Sequence, residues 1–164
     1  MWIRDALPKA FPNARVVLFG YDTTLVRSNS FQTIPDLALS LVNNLKASDL
    51  GAKKPLLFLA HSLGGIVVKE TLVALANGDD RGRQILQQTA GAVFFGVPSR
   101  GMETQTLLTM VHGQANEGLL RDLATPSKYL QSLADRFVEV SGRMTLFWAF
   151  ETRTSPTVTV STSP

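Results

Sequence analysis

With 164 residues, 45% of them hydrophobic and 18% charged, the chain is long enough to bury the core of one domain and too apolar to be disordered. It has no cysteine, which excludes disulfides, thiolate nucleophiles and zinc–thiolate sites, and its two histidines are too few for a His-rich metal site, so no metal or cofactor is expected. A net charge of +3 without a basic stripe argues against a nucleic-acid partner, and no apolar run reaches membrane-span length.

The N-terminus carries Arg4, Asp5, Pro8 and Lys9 and no apolar signal core, so neither secretion nor a mitochondrial address is expected. Residues 14–21 (Ala-Arg-Val-Val-Leu-Phe-Gly-Tyr) are β-branched and aromatic and predict a strand. Residues 22–33 are polar and predict a loop. Thr33 then begins a helix: Pro35 and Asp36 suit its first turn, Leu37, Leu41 and Leu45 recur at i+4, and Gly51 and Pro55 bracket its exit.

Residues 55–60 form a short apolar run without alternation, which predicts a strand buried on both faces of a parallel sheet. A helix over 64–76 carries Ile66, Val67, Val73 and Leu75 and closes at Asn77-Gly78. Residues 90–97 read as another buried strand, 102–140 as helical pieces broken at Gly113, Gly118 and Pro126, and 144–150 as a last strand. This alternation predicts the α/β class: a mostly parallel sheet with helices on both faces. Function then gathers at the carboxyl ends of the strands, which hold Asp22, Ser62, Pro98-Ser99 and Glu151. In residues 152–164, ten of thirteen are Thr, Ser or Pro, a composition that predicts a disordered tail beyond a domain over 1–151.

The chemistry is concentrated in Leu-Leu-Phe-Leu-Ala-His-Ser-Leu-Gly-Gly-Ile-Val-Val-Lys, residues 56–69. An apolar run ends in a serine among small residues and an apolar helix follows at once. A tight strand-to-helix turn lifts a serine clear of the sheet and brings helix N-terminal N–H groups toward developing negative charge. Ala60 and Gly64 supply the small residues two before and two after Ser62. In this reading Ser62 is a nucleophile for acyl transfer and the backbone N–H of Leu63 one oxyanion donor. The competing reading is a plain turn in which Ser62 caps the helix.

Ala-His-Ser-Leu-Gly-Gly-Ile-Val-Val-Lys-Glu at 60–70 and Gly-Ala-Val-Phe-Phe-Gly-Val-Pro-Ser-Arg-Gly-Met at 91–102 resemble the lipase-like serine esterases of the α/β-hydrolase superfamily. The group they most resemble is the serine-active-site-containing, SERAC-type proteins, which in fungi often stand ahead of NTPase and repeat modules. Trp2-Ile3-Arg4-Asp5, Gly20-Tyr21-Asp22 and Phe150-Glu151-Thr152 extend the resemblance over residues 2 to about 153. It implies a partial α/β-hydrolase fold that hydrolyses carboxylic esters, with lipid acyl esters as the substrate class. By resemblance Glu151 is the acid of the triad, with Asp22 as its rival; otherwise Asp22 caps a turn with Thr23 and Thr24.

The resemblance also implies missing parts. Relatives begin with a strand and a His-Gly loop that gives the second oxyanion N–H, and end with a loop carrying the catalytic histidine. His61 adjoins Ser62 on a turn where neighbouring side chains diverge, and His112 precedes Glu151 in the chain, so neither suits the base. Where many relatives have Pro-His, this chain has Pro98-Ser99; Ser99 caps a helix from Gly101 or touches substrate. Met102, Leu107, Leu108, Met110 and Val111 read as core at helical spacing, with an acyl-chain lid as the alternative. The expected function is therefore an esterase domain with little activity as given. The alternative is a non-catalytic binding or sensing module on the same scaffold, linked to downstream NTPase or repeat domains. Cytoplasm is the default location, and relatives at mitochondrial and endoplasmic-reticulum membranes make peripheral membrane association the alternative.

Overall fold

The computed structural model describes residues 2–22, 30–51, 54–150 and 152. Two short helices, α1 (Trp2–Asp5) and α2 (Leu7–Ala10), precede a segment over 11–22 that forms neither helix nor strand and opens with a turn at 12–13. There follow α3 (Ile34–Ala47), β1 (Leu56–His61), α4 (Leu63–Ala76), α5 (Asp80–Gln88) and β2 (Thr89–Phe95). The chain ends its described part with α6 (Gln105–Met110), α7 (Glu117–Leu123), α8 (Lys128–Ser141) and β3 (Thr145–Ala149). The three strands form a parallel sheet in the order β1-β2-β3, as an α/β fold requires.

Local chemistry accounts for most of these elements. The Thr33 hydroxyl accepts the N–H of Asp36 while the Asp36 carboxylate accepts the N–H of Thr33, a reciprocal cap that starts α3 where the sequence places it. Ile34, Leu37, Ala38, Leu41, Val42 and Leu45 then fall on one buried stripe. Asp79 caps α5 one way only, its carboxylate accepting the N–H of Gly82.

The segment over 14–21 forms no strand and joins no described sheet, although its residues are good strand formers. A strand is stabilised by ladder partners, and this stretch has none in the described sheet. Helix α5 departs from expectation: its sequence is mostly Gln, Arg and Asp, and its apolar side reduces to Ile85 and Leu86, of which Ile85 is buried. The helical pieces are interrupted at 111–116, which holds Gly113, and at 124–127, which holds Pro126, whereas Gly118 lies inside α7 and breaks nothing.

β1 also departs from expectation. Phe58 and Ala60 are buried, whereas Leu57 and Leu59 on the other face are exposed at 57% and 41%. The register sets Phe58 and Ala60 beside Ala92 and Phe94, and α4 and α8 lie against that face. Leu57, Leu59 and Phe147 share the opposite face and are open to solvent, so the described helical cover is one-sided rather than two-sided. Unbroken apolarity marked the strand correctly and misjudged how many of its faces are covered.

α4 runs through the middle of the helical layer and is buried from Gly65 to Val73. It nevertheless carries two adjacent charges, Lys69 and Glu70. Burying a charge is costly unless it is paired and hydrogen-bonded. Glu70 is answered by a bidentate Arg136, both N···O distances 3.0 Å, and by the Tyr129 hydroxyl at 2.7 Å, which tie α4 to α8. Burial and the neighbouring carboxylate hold the Tyr129 phenol neutral well above its ordinary range.

Candidate functional site

The carboxyl ends of the three parallel strands lie side by side. His61 pairs with Phe95, and Phe95 with Ala149. Beyond them the backbone continues the register: Ser62 N–H donates to Phe95 C=O at 2.9 Å and Gly96 N–H to Ala149 C=O at 2.8 Å. This edge brings together Ser62, the 96–100 loop and Phe150. Asp22 is exposed, and Glu151, the expected acid, lies outside the described residues, as do 153–164 of the expected tail.

Ser62 is the single residue between β1 and α4. Its backbone sits at φ 51° and ψ −128°, a region that side-chain-bearing residues rarely enter. Such a conformation costs about 1–3 kcal/mol and persists only where the surroundings impose it. Here the ladder bond to Phe95 fixes one side, and Gly65 N–H donating to Ser62 C=O at 3.0 Å fixes the other. The Ser62 side chain makes no capping bond to α4, which removes the plain-cap reading. Ser62 is half-buried at the head of a 14-residue helix, with Leu63 as the first helical residue.

The crowding at the turn is not where the serine-centred spacing puts it. A Cβ on Gly64 would meet only the Tyr21 hydroxyl, at an ordinary 3.6 Å. A Cβ on Gly65 would stand 2.1 Å from a Val97 methyl. Gly65 is thus what lets α4 close onto the loop leaving β2. Gly65→Ala is expected to lose about 2 kcal/mol through overpacking, while Gly64→Ala stays within about 1 kcal/mol of the parent. Urea denaturation of both variants checks this; equal losses would contradict the packing argument.

Tyr21 comes from the segment over 11–22 and packs beside Phe19, their ring centroids 5.9 Å apart. Burial raises its phenol above the usual range, so it stands over Gly64 as a neutral hydroxyl. In the sequence Tyr21 stands out only within Gly20-Tyr21-Asp22. The sequence expectations also omit Lys69, whose Nζ donates to Ser99 Oγ at 2.7 Å. The signal was available: two charges interrupt a helix that is otherwise apolar all round. Ser99 starts no helix, because the next one begins at Gln105, whose N–H is taken by the Glu103 carboxylate.

The histidines stay apart from these pairings. His61 is exposed on β1, and His112 is 82% exposed with Nδ1 3.6 Å from Glu117. Val111 is fully buried and Leu108 packs on the core, whereas Met102 is exposed. The 103–123 excursion is pinned at its base where Met102 N–H donates to Leu123 C=O and Thr125 N–H to Met102 C=O. Among the described residues no helix is long and apolar enough to cross a membrane, and no three His, Asp or Glu side chains gather into a metal-binding group.

No family model and no solved structure matches the chain. Curated proteins do. Protein SERAC1 of Mus musculus is 26% identical over 144 residues, covering 84% of this chain and 22% of that protein. Protein SERAC1 of Danio rerio is 26% identical over 148 residues, covering 85% and 22%. The Homo sapiens protein matches at 26% over 144 residues, with 84% and 22% covered. The chain therefore spans about a fifth of the length of the curated relatives it matches. Homology over most of the chain supports the SERAC family as the one to which this protein is related.

Proposed function

We propose that this chain carries the nucleophile-bearing part of an α/β-hydrolase-type domain over residues 1–151, and that Ser62 attacks a carboxylic ester. The observation that carries the reading is the backbone of Ser62: a non-glycine residue at φ 51°, held between a parallel strand and a buried helix, without a capping role. Evolution has little reason to keep a serine in a conformation that glycine adopts freely unless the hydroxyl is used. The similarity to SERAC1 supports the same reading without naming a reaction.

In this mechanism the Ser62 oxygen adds to the ester carbonyl carbon, and the N–H of Leu63 faces the resulting oxyanion at the positive end of α4. Glu151 is the proposed acid that orients a histidine base. Neither His61 nor His112 is placed for that task, so the 164-residue chain is expected to acylate slowly and turn over little. A lipid acyl ester, met at a membrane surface from the cytoplasmic side, is the proposed substrate class.

The test is a fluorophosphonate probe on the purified chain with the adduct mapped by mass spectrometry. Slow labelling of the peptide carrying Ser62, absent from that peptide in Ser62→Ala, is the expected result. A folded chain whose Ser62 never reacts, even at high probe concentration, would favour a non-catalytic binding module on the same scaffold. Fast turnover of a p-nitrophenyl ester that Ser62→Ala abolishes would instead show that the base lies within these residues.

A further inference from the structure

A second serine at the strand ends, Ser99, is held against a buried amine. Ser99 Oγ lies 2.7 Å from Lys69 Nζ. Ser99 is half-buried on the loop that leaves β2, on the same edge as Ser62, while Lys69 is buried at 5% exposure beneath it. The amine points into a box of rings: its Nζ is 4.7 Å from the centroid of Trp148, 5.6 Å from Phe137 and 5.7 Å from Phe94. The rings are themselves packed together, Phe94 stacked on Trp148 at 4.5 Å and edge-on to Phe137 at 6.0 Å.

The charged and titratable groups around the box leave Lys69 without a counterion among the described residues. β2 and β3 contribute rings and no titratable side chain. From α8, Arg136 and Tyr129 are both bound to Glu70, the neighbour of Lys69 on α4. The 96–100 loop adds only the exposed Arg100. An ordinary buried lysine is paired with a carboxylate; this one has a hydroxyl.

We propose that Lys69 and Ser99 form a serine–lysine dyad, a second nucleophilic site that reacts with activated acyl and phosphonyl groups independently of Ser62 and of any histidine. In its neutral form the amine accepts the Ser99 proton as Ser99 Oγ bonds to the electrophilic carbon or phosphorus. The bond to the leaving group then breaks, and the leaving group departs with the proton returned by Lys69. The two halves of the Lys69 environment serve the two states. Burial lowers its pKa from the usual range to about 8, so the neutral amine is accessible near neutral pH. The ring faces receive the ammonium that forms when the proton arrives, the part a carboxylate plays in a histidine triad.

The experiment is fluorophosphonate labelling of the full 164-residue chain in a Ser62→Ala background, with the adduct mapped and the rate followed from pH 6 to pH 10. The expected result is a Ser99 adduct whose formation rises with a midpoint near 8. In Ser62→Ala/Lys69→Arg, which keeps a cation but no removable proton, that adduct slows about a hundredfold. Absence of a Ser99 adduct in folded Ser62→Ala overturns the dyad, as does a rate that does not change with pH. A Lys69→Arg variant that labels Ser99 at the parent rate overturns it too. If Lys69→Arg does not fold, the pH profile of the Ser62→Ala chain decides alone, since it alters nothing at Lys69. Failure of Ser62 to label bears only on the esterase reading, because each adduct is assigned to its own peptide.

Discussion

Phe94→Ala is expected to destabilise the chain by about 4 kcal/mol, within the usual range for deletion of a buried ring. Phe94 is fully buried in the central strand. It stacks on Trp148, meets Phe137 edge-on and forms one wall of the box around Lys69. Alanine would empty the space where β2, β3, α4 and α8 converge and would uncover an amine that has no carboxylate among the described residues to fall back on. Against a usual total stability of about 5–15 kcal/mol, such a loss leaves a marginal fold. Guanidinium denaturation followed by circular dichroism measures it. A cost under about 1 kcal/mol would mean that the three rings are not packed as one unit. Phe94→Leu is expected to lose less than half as much, because it keeps most of the volume.

The second prediction separates stability from reactivity at one position. Ser62→Gly is expected to stabilise the fold by about 1–2 kcal/mol, because glycine enters a positive φ without the clash that serine bears there. For a chain of this length the melting temperature should rise by about 4 °C. Labelling at position 62 should disappear entirely with the hydroxyl. Ser62→Ala removes the same hydroxyl but keeps a Cβ, so its stability should stay near that of the parent. A loss of stability in Ser62→Gly would show that the serine side chain supports the turn, and the functional argument from its backbone would fall. A gain confined to glycine is the pattern of a strained residue kept for its hydroxyl.

Much of this was legible in the residues. The α3 start at Thr33, the strand–serine–helix passage at 56–76, and the strands over 89–95 and 145–149 follow from local rules: a reciprocal cap, apolar runs of strand length and small residues at a tight turn. These signals are carried by residues close in sequence, so a linear reading recovers them. The segment at 14–21 departs from expectation for the complementary reason. Its side chains favour a strand, but a strand exists only with a partner, and pairing is not a local property. The exposed face of β1 escaped notice because apolarity does not say whether a helix lies opposite.

The same division runs through the site. The tight turn at Ser62 and the helix that follows it were legible in the sequence alone, since both are written in consecutive residues. The positive φ that argues for its use belongs to the backbone and needed the tertiary structure. So did the pairings across the chain: Gly65 against Val97, Tyr21 over Gly64, Glu70 with Arg136 and Tyr129, and Lys69 with Ser99, thirty residues apart. Sequence could mark Lys69 and Glu70 as anomalous charges in an apolar helix. Only the packing of α8 and the strand-end loop against α4 decided that one charge is locked in an ion pair and the other is left facing a hydroxyl, because desolvation and pairing depend on what the fold brings near.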